Sequence, residues 1–325
     1  MMKTKDKLLA ILIEKKNEWV SGELIGNSLE ISRAAVWKAA MSLRNEGYLI
    51  DAAQNKGYRL VEDADVLSEL GILKYMNNDS KMLDIHIIPT ASSTNSLLWE
   101  KEKSGAPEGT VIIAGMQTNG KGRSGRKFYS PADTGIYMSI LLRPVHEKPD
   151  QAMRITTLAA VAACETFEAA TGKIACIKWV NDVFMENRKV CGILTEGSYN
   201  LETGNLEAVV LGIGINVYSP EGGFPADIES TAGPVFTENR ADGKNILAAG
   251  FLNRLMKYYL SSDSESYVSK YRERCFVIGK QVLVVLGNET RNAYVRNVDD
   301  NCRLVVEYEN GCIDSLPAGE IRIIL

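Results

Sequence analysis

Histidine is nearly missing from this chain, and its cysteines are not spaced for a metal. Only His86 and His146 occur in 325 residues, and none of the six cysteines (164, 176, 191, 275, 302, 312) stands in a CxxC pair. No zinc centre is expected, and no metal ligand can be named. Unpatterned cysteines suit a reducing compartment, so the expected location is cytoplasmic. Long apolar runs are also lacking. Residues 8–13 stop at Glu14-Lys15-Lys16 without a small-residue cleavage site, which reads as an amphipathic helix and not as a signal peptide or membrane anchor. Two common phosphate loops are missing too. Residues 120–125 spell G-x-G-x-x-G, but Lys127-Phe128-Tyr129-Ser130-Pro131 follows as extended chain into a turn, where a dinucleotide fold opens a helix. Lys121 precedes Gly122, whereas a Walker A lysine precedes Ser or Thr.

What is present is an ordinary globular composition, 45% hydrophobic and 24% charged, at a length that suits two or three domains. Charge is uneven. Residues 1–60 hold ten Lys/Arg against seven Asp/Glu, a net of +3, which leaves −7 on the remainder of a chain whose total is −4. A basic head on an acidic body assigns any nucleic-acid contact to the head.

The head reads as three helices and a hairpin. Residues 5–16 place Leu8, Leu9, Leu12 and Ile13 on one face, Ser21 caps a short helix through Leu29, and Ser32 caps a third over residues 33–46 that ends at Gly47. Residues 49–52 and 57–60 flank a turn at 53–56. This is the winged helix-turn-helix order, in which the third helix enters the major groove. Ser32, Arg33, Ala34 and Lys38 would meet base edges, Lys56 and Arg59 on the wing would meet phosphates, and Trp37 is expected to pack. A protein-interaction module of the same shape is the rival. A connector, residues 63–83, carries one helix capped by Asp63 or Asp65.

The body, residues 84–274, reads as α+β. Strands are expected at residues 85–88, 111–114, 135–142, 174–180, 183–185, 190–194, 195–199 and 207–217. His86 alternates with apolar neighbours and is expected to be structural. Helices are expected after residues 92–95 and over 151–170, 244–261 and 263–273, with a Gly/Pro-rich mobile loop at 219–234. Residues 275–325 read as short strands of a small SH3-like barrel. The stretch 117–127 (Gln-Thr-Asn-Gly-Lys-Gly-Arg-Ser-Gly-Arg-Lys) alternates glycines with cations after an apolar strand, a pattern suited to cradling an anion.

With Ser93-Thr94-Asn95, the loop from Gln117 through Gly120 to Arg126, Lys178-Trp179-Val180-Asn181-Asp182, Lys189 and residues 212–216, the chain resembles the biotin protein ligases. It is most similar to the class whose N-terminal DNA-binding domain doubles as the biotin repressor; residues 31–38 match that family's DNA-reading helix. The chain departs at Lys121, where Arg is usual, and at Val180, where Pro is common. The resemblance implies a class II synthetase-like α/β catalytic domain between the winged head and the SH3-like barrel. It implies biotin, ATP and Mg2+, biotin carboxyl carrier protein and operator DNA as partners, and a homodimer once adenylate is bound.

It further implies that Lys189 bridges the biotin carboxylate and the α-phosphate, that Lys121, Gly122 and Arg123 also contact biotin, and that Lys121 and Arg123 fold over the adenylate with Gly120, Arg126 and Trp179 around it. Ser93, Thr94, Asn95 and Gln117 would bind the ureido ring, and Asn216 would lie by the phosphates or the metal. Asp182 would either orient Lys189 or take a proton from the incoming lysine; a plain turn role is the third option. Two anions must meet, and unit charges 4 Å apart repel by about 1 kcal/mol in water but about 4 kcal/mol at an effective dielectric near 20. Fixed cations answer that cost without any Ser-His or Cys-His nucleophile. A lipoate or octanoate ligase, or a ligand-sensing repressor without turnover, are the alternatives.

Overall fold

The structure is a computed structural model that describes residues 3–15, 17–45, 47–61, 65–144, 152–200, 202, 204–261, 265–286, 289–317 and 320–323. His146 and Asp63, named above, lie outside them. The chain forms two compact units. Met1–Tyr75 and Glu238–Ala249 make the first; Met76–Thr237 and Gly250–Leu325 make the second.

In the first unit, α1 (Thr4–Glu14), α2 (Gly22–Leu29) and α3 (Arg33–Asn45) bury Leu8, Leu9, Leu12, Ile25, Val36, Ala40 and Leu43 against one another. The caps fall where hydroxyls precede helices: Ser21 Oγ accepts from the Leu24 N–H and Ser32 Oγ from the Ala35 N–H. Glu30 turns left-handed (φ 55°) after α2, and the Ile31 N–H closes on Gly26 O at 2.9 Å. The wing pairs β1 (Ile50–Ala53) with β2 (Gly57–Leu60) antiparallel.

Trp37 does not pack: it is 55% exposed, because Val36, Ala39 and Ala40 take the inward stripe and turn residue 37 outward with Arg33, Ala34 and Lys38. The wing cations are engaged within the head. Arg59 lies 4.8 Å and Lys56 5.6 Å from the Trp19 ring centroid, and Arg59 pairs with Asp51 at 2.5 Å. The connector helix α4 (Glu69–Leu73) is capped by Ser68, not by Asp65. Asp65 instead accepts the Lys244 N–H at 2.8 Å.

The second unit is built on a seven-stranded sheet in the order β3-β4-β5-β9-β8-β7-β6. Its strands are β3 (Asp84–Ala91), β4 (Thr110–Gln117), β5 (Gly135–Leu142), β6 (Ala175–Lys178), β7 (Asp182–Met185), β8 (Arg188–Tyr199) and β9 (Leu206–Asn216). Only β3 and β4 run parallel, because α5 (Thr94–Lys103) crosses between them. All eight residues of β5 are buried, and they sit between β4 and β9 under α5. The two strands expected at 190–199 are one, since the β8–β9 ladder runs unbroken from Cys191 to Ser198. His86 pairs with Asp84 at 2.8 Å on the surface end of β3. The Ala/Thr-rich α6 (Ala152–Thr171) lies on β6, β7, β8 and β9, its small buried face permitting close approach. After α7 (Gly243–Tyr259) and α8 (Glu265–Arg274), five antiparallel strands form a second sheet, β13-β12-β11-β10-β14. These are β10 (Gln281–Leu286), β11 (Glu289–Val298), β12 (Leu304–Tyr308), β13 (Ile313–Leu316) and β14 (Glu320–Ile323). Among the described residues no helix is long and apolar enough to cross a membrane.

Gly57 opens the wing's return strand at φ +101°, and a Cβ there would stand 2.0 Å from Val20 O. Gly57→Ala should therefore destabilise the head by at least about 2 kcal/mol. Thermal unfolding of the variant beside wild type reads the effect directly.

Candidate functional site

One cavity with about 1020 Å³ of empty space, open solvent at its mouth included, lies over the middle of the seven-stranded sheet. Its floor is backbone. Gly192 of β8 and Gly212 and Gly214 of β9 line it, and their lack of side chains is required by what stands above them. A Cβ on Gly212 would fall 2.2 Å from Asn95 Oδ1, and one on Gly214 would fall 2.4 Å from the Phe128 ring. Strand glycines of this kind mark a close approach from above.

The inner wall is polar, uncharged and sealed. Ser93, Thr94 and Asn95 at the start of α5 are at most 4% exposed, and Ser139 of β5 is fully buried. The Thr94 N–H donates to Gln117 Oε1 at 2.9 Å, and Gln117 Nε2 donates to Ser130 Oγ at 3.0 Å. Asn95 Nδ2 donates to Glu196 Oε2 at 2.8 Å, while Asn95 Oδ1 and Thr94 Oγ1 lie 2.6 and 2.7 Å from Ser139 Oγ. Ser139, Glu196 and Ser130 were missed in the sequence. The available signal was Ser139, a hydroxyl inside an otherwise apolar strand.

The basic loop forms the rim. It is pinched shut by Gly122 N–H to Arg126 O (2.7 Å) and Phe128 N–H to Gly120 O (2.9 Å), and moored below by Thr118 N–H to Ala91 O and Asn119 N–H to Ser92 O. Residues 123–125 make one 3-10 turn, with Ser124 and Gly125 left-handed at φ 54° and 73°. Lys121, Gly122, Arg123 and Arg126 line the cavity; Arg123 Nη1 donates to Asn181 Oδ1 at 3.1 Å.

Facing the loop is the β7–β8 hairpin. Its register slips between Val183 and Phe184, leaving Val190 as the extra residue, a bulge that re-aims the strand beside Lys189. Lys189 Nζ lies 2.6 Å from Asp182 Oδ1, and both line the cavity. The Lys189 backbone is braced on both sides: its N–H donates to Thr231 O, and its carbonyl accepts from the Gly233 N–H and from Asn216 Nδ2. The segment expected to be a mobile loop thus holds the strand that presents Lys189. Beneath it, burial pushes the Cys191 thiol well up, so no thiolate competes for that ammonium. Trp179 lines the cavity and anchors its Nε1–H on Cys302 O at 3.0 Å.

Of the residues named from sequence, Ser93, Thr94, Asn95, Gln117, Lys121, Gly122, Arg123, Arg126, Trp179, Asp182 and Lys189 therefore meet at one cavity. Gly120 and Asn216 do not line it. Gly120 lies under the loop, with Phe128 O 2.5 Å from where its Cβ would be, and Asn216 braces Lys189 from behind.

Residues 87–216 match the profile of the biotin/lipoate A/B protein ligase family, and residues 4–59 match an HTH domain. A bifunctional ligase/repressor BirA of Bacillus spizizenii is 32% identical over 316 residues, covering 94% of each chain. The chain belongs to the bifunctional biotin ligase/repressor family. The Bacillus subtilis BirA is 36% identical over 77% of this chain and 75% of its own. A biotin protein ligase of Aquifex aeolicus, solved with biotin and ATP, shares the fold at a TM-score of 0.62. It is 24% identical and covers 74% of this chain and 98% of its own.

Replacement of Gly214 by Ala should expel the Phe128 ring from the floor and lower stability by about 1–3 kcal/mol, as overpacking does. A thermal melt gives the loss, and a crystal structure of the variant would place the displaced ring.

Proposed function

We infer that the second unit activates biotin with ATP and passes it to a lysine of biotin carboxyl carrier protein, and that the first unit binds operator DNA as a repressor. The observation that carries the ligase reading is the polarity of the cavity. A sealed wall of uncharged donors and acceptors ends at a rim of Lys121, Arg123, Arg126 and Lys189. Biotin has that shape, a neutral ureido ring at one end and a carboxylate at the other. Lipoate and octanoate have no polar head for such a wall, and buried hydrogen-bonding groups left unmatched disfavour them strongly.

The reaction has two steps. The biotin carboxylate attacks the ATP α-phosphorus, and the bond from that phosphorus to the α,β-bridging oxygen breaks, releasing pyrophosphate and leaving biotinyl-5′-adenylate. The carrier lysine amine then attacks the acyl carbon, AMP departs, and an amide remains. Lys189 supplies fixed positive charge between the two reacting acids, where it is worth most as charge builds. Asp182 holds Lys189 in place at 2.6 Å before substrate arrives. Arg123, set by Asn181, covers the adenylate with Lys121 and keeps it from water.

No cluster of three metal-ligating side chains lies among the described residues, so magnesium would come with the triphosphate, whose charge it covers. Asn216, behind the cavity wall, steadies Lys189 through the Lys189 carbonyl. The adenylate would order the rim and favour a homodimer, presenting two heads to a two-fold operator. In each head Arg33, Ala34, Trp37 and Lys38 form the outward face of α3, together with Ser32 at its cap. The wing's Lys56 and Arg59 lie along Trp19 as a phosphate-facing edge.

Transfer of labelled biotin to a carrier protein with ATP and magnesium tests the reading; no transfer and no pyrophosphate release would overturn it. Lys189→Ala should slow adenylation by about 10²–10³-fold, measured by single-turnover pyrophosphate release. Trp37→Ala should weaken binding to an operator fragment selected with the wild-type protein by about tenfold or more. Gel shifts report that loss, and carrier biotinylation by the same variant should be unchanged.

A further inference from the structure

Four side chains running from behind the polar wall into it form a single file: Glu196, Asn95, Ser139 and Thr94. We propose that Glu196 is a positioning residue that fixes the direction of every hydrogen bond in that file, and so makes Thr94 an acceptor for an N–H of the ligand. The inference deepens the biotin reading, in which that N–H belongs to the ureido ring, and rests on it.

The file begins with a group that can only accept. Glu196 Oε2 lies 2.8 Å from the Asn95 amide, and Leu194 O lies 3.4 Å from the same end. Two acceptors there require the NH2 end of Asn95 and orient its amide. Asn95 Oδ1 then points at Ser139 Oγ, 2.6 Å away, and a carbonyl can only accept. The single proton of Ser139 is thereby committed to Asn95. Ser139 Oγ is also 2.7 Å from Thr94 Oγ1, and with its own proton used it can only accept there.

The Thr94 proton is turned inward, to Ser139 Oγ or to Gln117 Oε1 at 3.2 Å. Gln117 cannot reverse this. Its Oε1 already takes the Thr94 N–H, and its Nε2 donates to Ser130, whose own hydroxyl proton goes to Phe128 O. Both ends of the wall are therefore tied to groups without protons, and Thr94 has only lone pairs to offer the cavity that it lines.

Removing the acceptor at residue 196 frees the direction of the file. Asn95 could then turn its NH2 to Ser139, and Ser139 would give its proton to Thr94. The Thr94 proton would be left with Gln117 Oε1 at 3.2 Å or the cavity, and in the cavity two donors would face each other. Gly212 marks how closely Asn95 is held, since any side chain there would collide with its Oδ1. Glu196 itself is only half-buried toward the far end of β8, so it can be changed without cutting into the core.

The test compares Glu196→Leu with Glu196→Gln in the full chain, measuring the biotin Kd by calorimetry, KM for ATP, and Tm. Leu removes the acceptor; Gln keeps one in its amide oxygen. Leu should weaken biotin roughly ten- to a hundredfold, with KM for ATP within about twofold, and Gln should stay within a few-fold of wild type. Biotin binding by Glu196→Leu equal to wild type, or equal impairment by Leu and Gln, would overturn the file. Failure of the wild-type protein to bind biotin at all would instead overturn the reading on which it stands. Should Glu196→Leu melt too low to measure, Ser139→Ala and Ser139→Cys provide the same comparison, with Ala expected to weaken biotin by a similar factor and equal affinity overturning the file.

Discussion

A polar side chain out of reach of water must find a partner for each of its hydrogen-bonding groups or lose stability, and the ligase unit is arranged around that constraint. Ser93, Thr94, Asn95 and Ser139 are all buried at one place, where α5 meets β5 and β9. Thr94, Asn95 and Ser139 are tolerable there because Ser139 bonds to both of the others. Removing β9's side chains at Gly212 and Gly214 makes the room, so that Asn95 can lie on bare backbone and the Phe128 ring can cover the floor. The glycines, the helix start, Ser139 of β5 and the carboxylate on β8 are one device, although they come from four separated stretches of chain.

The division between inner wall and rim follows from the same physics. Burying an unpaired charge costs far more than burying a bonded amide or hydroxyl, so the deep end is neutral and the cations stand at the mouth. Lys121 and Arg126 are exposed, while Arg123 and Lys189 are half-covered and each has a polar partner, Asn181 and Asp182. In the proposed reading biotin matches this gradient, with its charge at the end opposite its ring. The acid that must react would then lie among the cations, beside Lys189, which is held by both an ion pair and a braced backbone.

The sequence made the linear parts of this arrangement legible. Caps at Ser21 and Ser32, the apolar stripe of α3, the all-apolar run of β5 and the Glu186-Asn187 turn before β8 each have a local cause, so each could be read locally. Trp37 misled because size and aromaticity suggest burial, whereas the helical phase set by Val36 and Ala40 decides the matter and points it outward. Asp65 looked like a cap for α4 but serves the Lys244 amide, 179 positions away, and no spacing rule reaches that far. Glu196 was invisible for a related reason. A lone acidic residue in a half-exposed strand looks like solvated surface until the fold brings Asn95 beneath it.

Lys121 illustrates what kind of residue can vary in such a site. Arginine, usual there in the family, offers a planar fork, and lysine offers only a point charge. If the loop's shape depended on that fork, the exchange would disturb it. Backbone bonds hold the shape instead: Lys121 bridges Lys127, Gly122 closes on Arg126, and Thr118 and Asn119 tie the base to the chain before α5. The side chain at 121 is exposed, and in the proposed reading its part is to carry positive charge over an anion, which either residue can do. Gly120 has no such latitude, since Phe128 O and Ser130 Oγ already occupy the space beside it. In this loop the glycines set the shape, and the cations are interchangeable wherever only charge is needed.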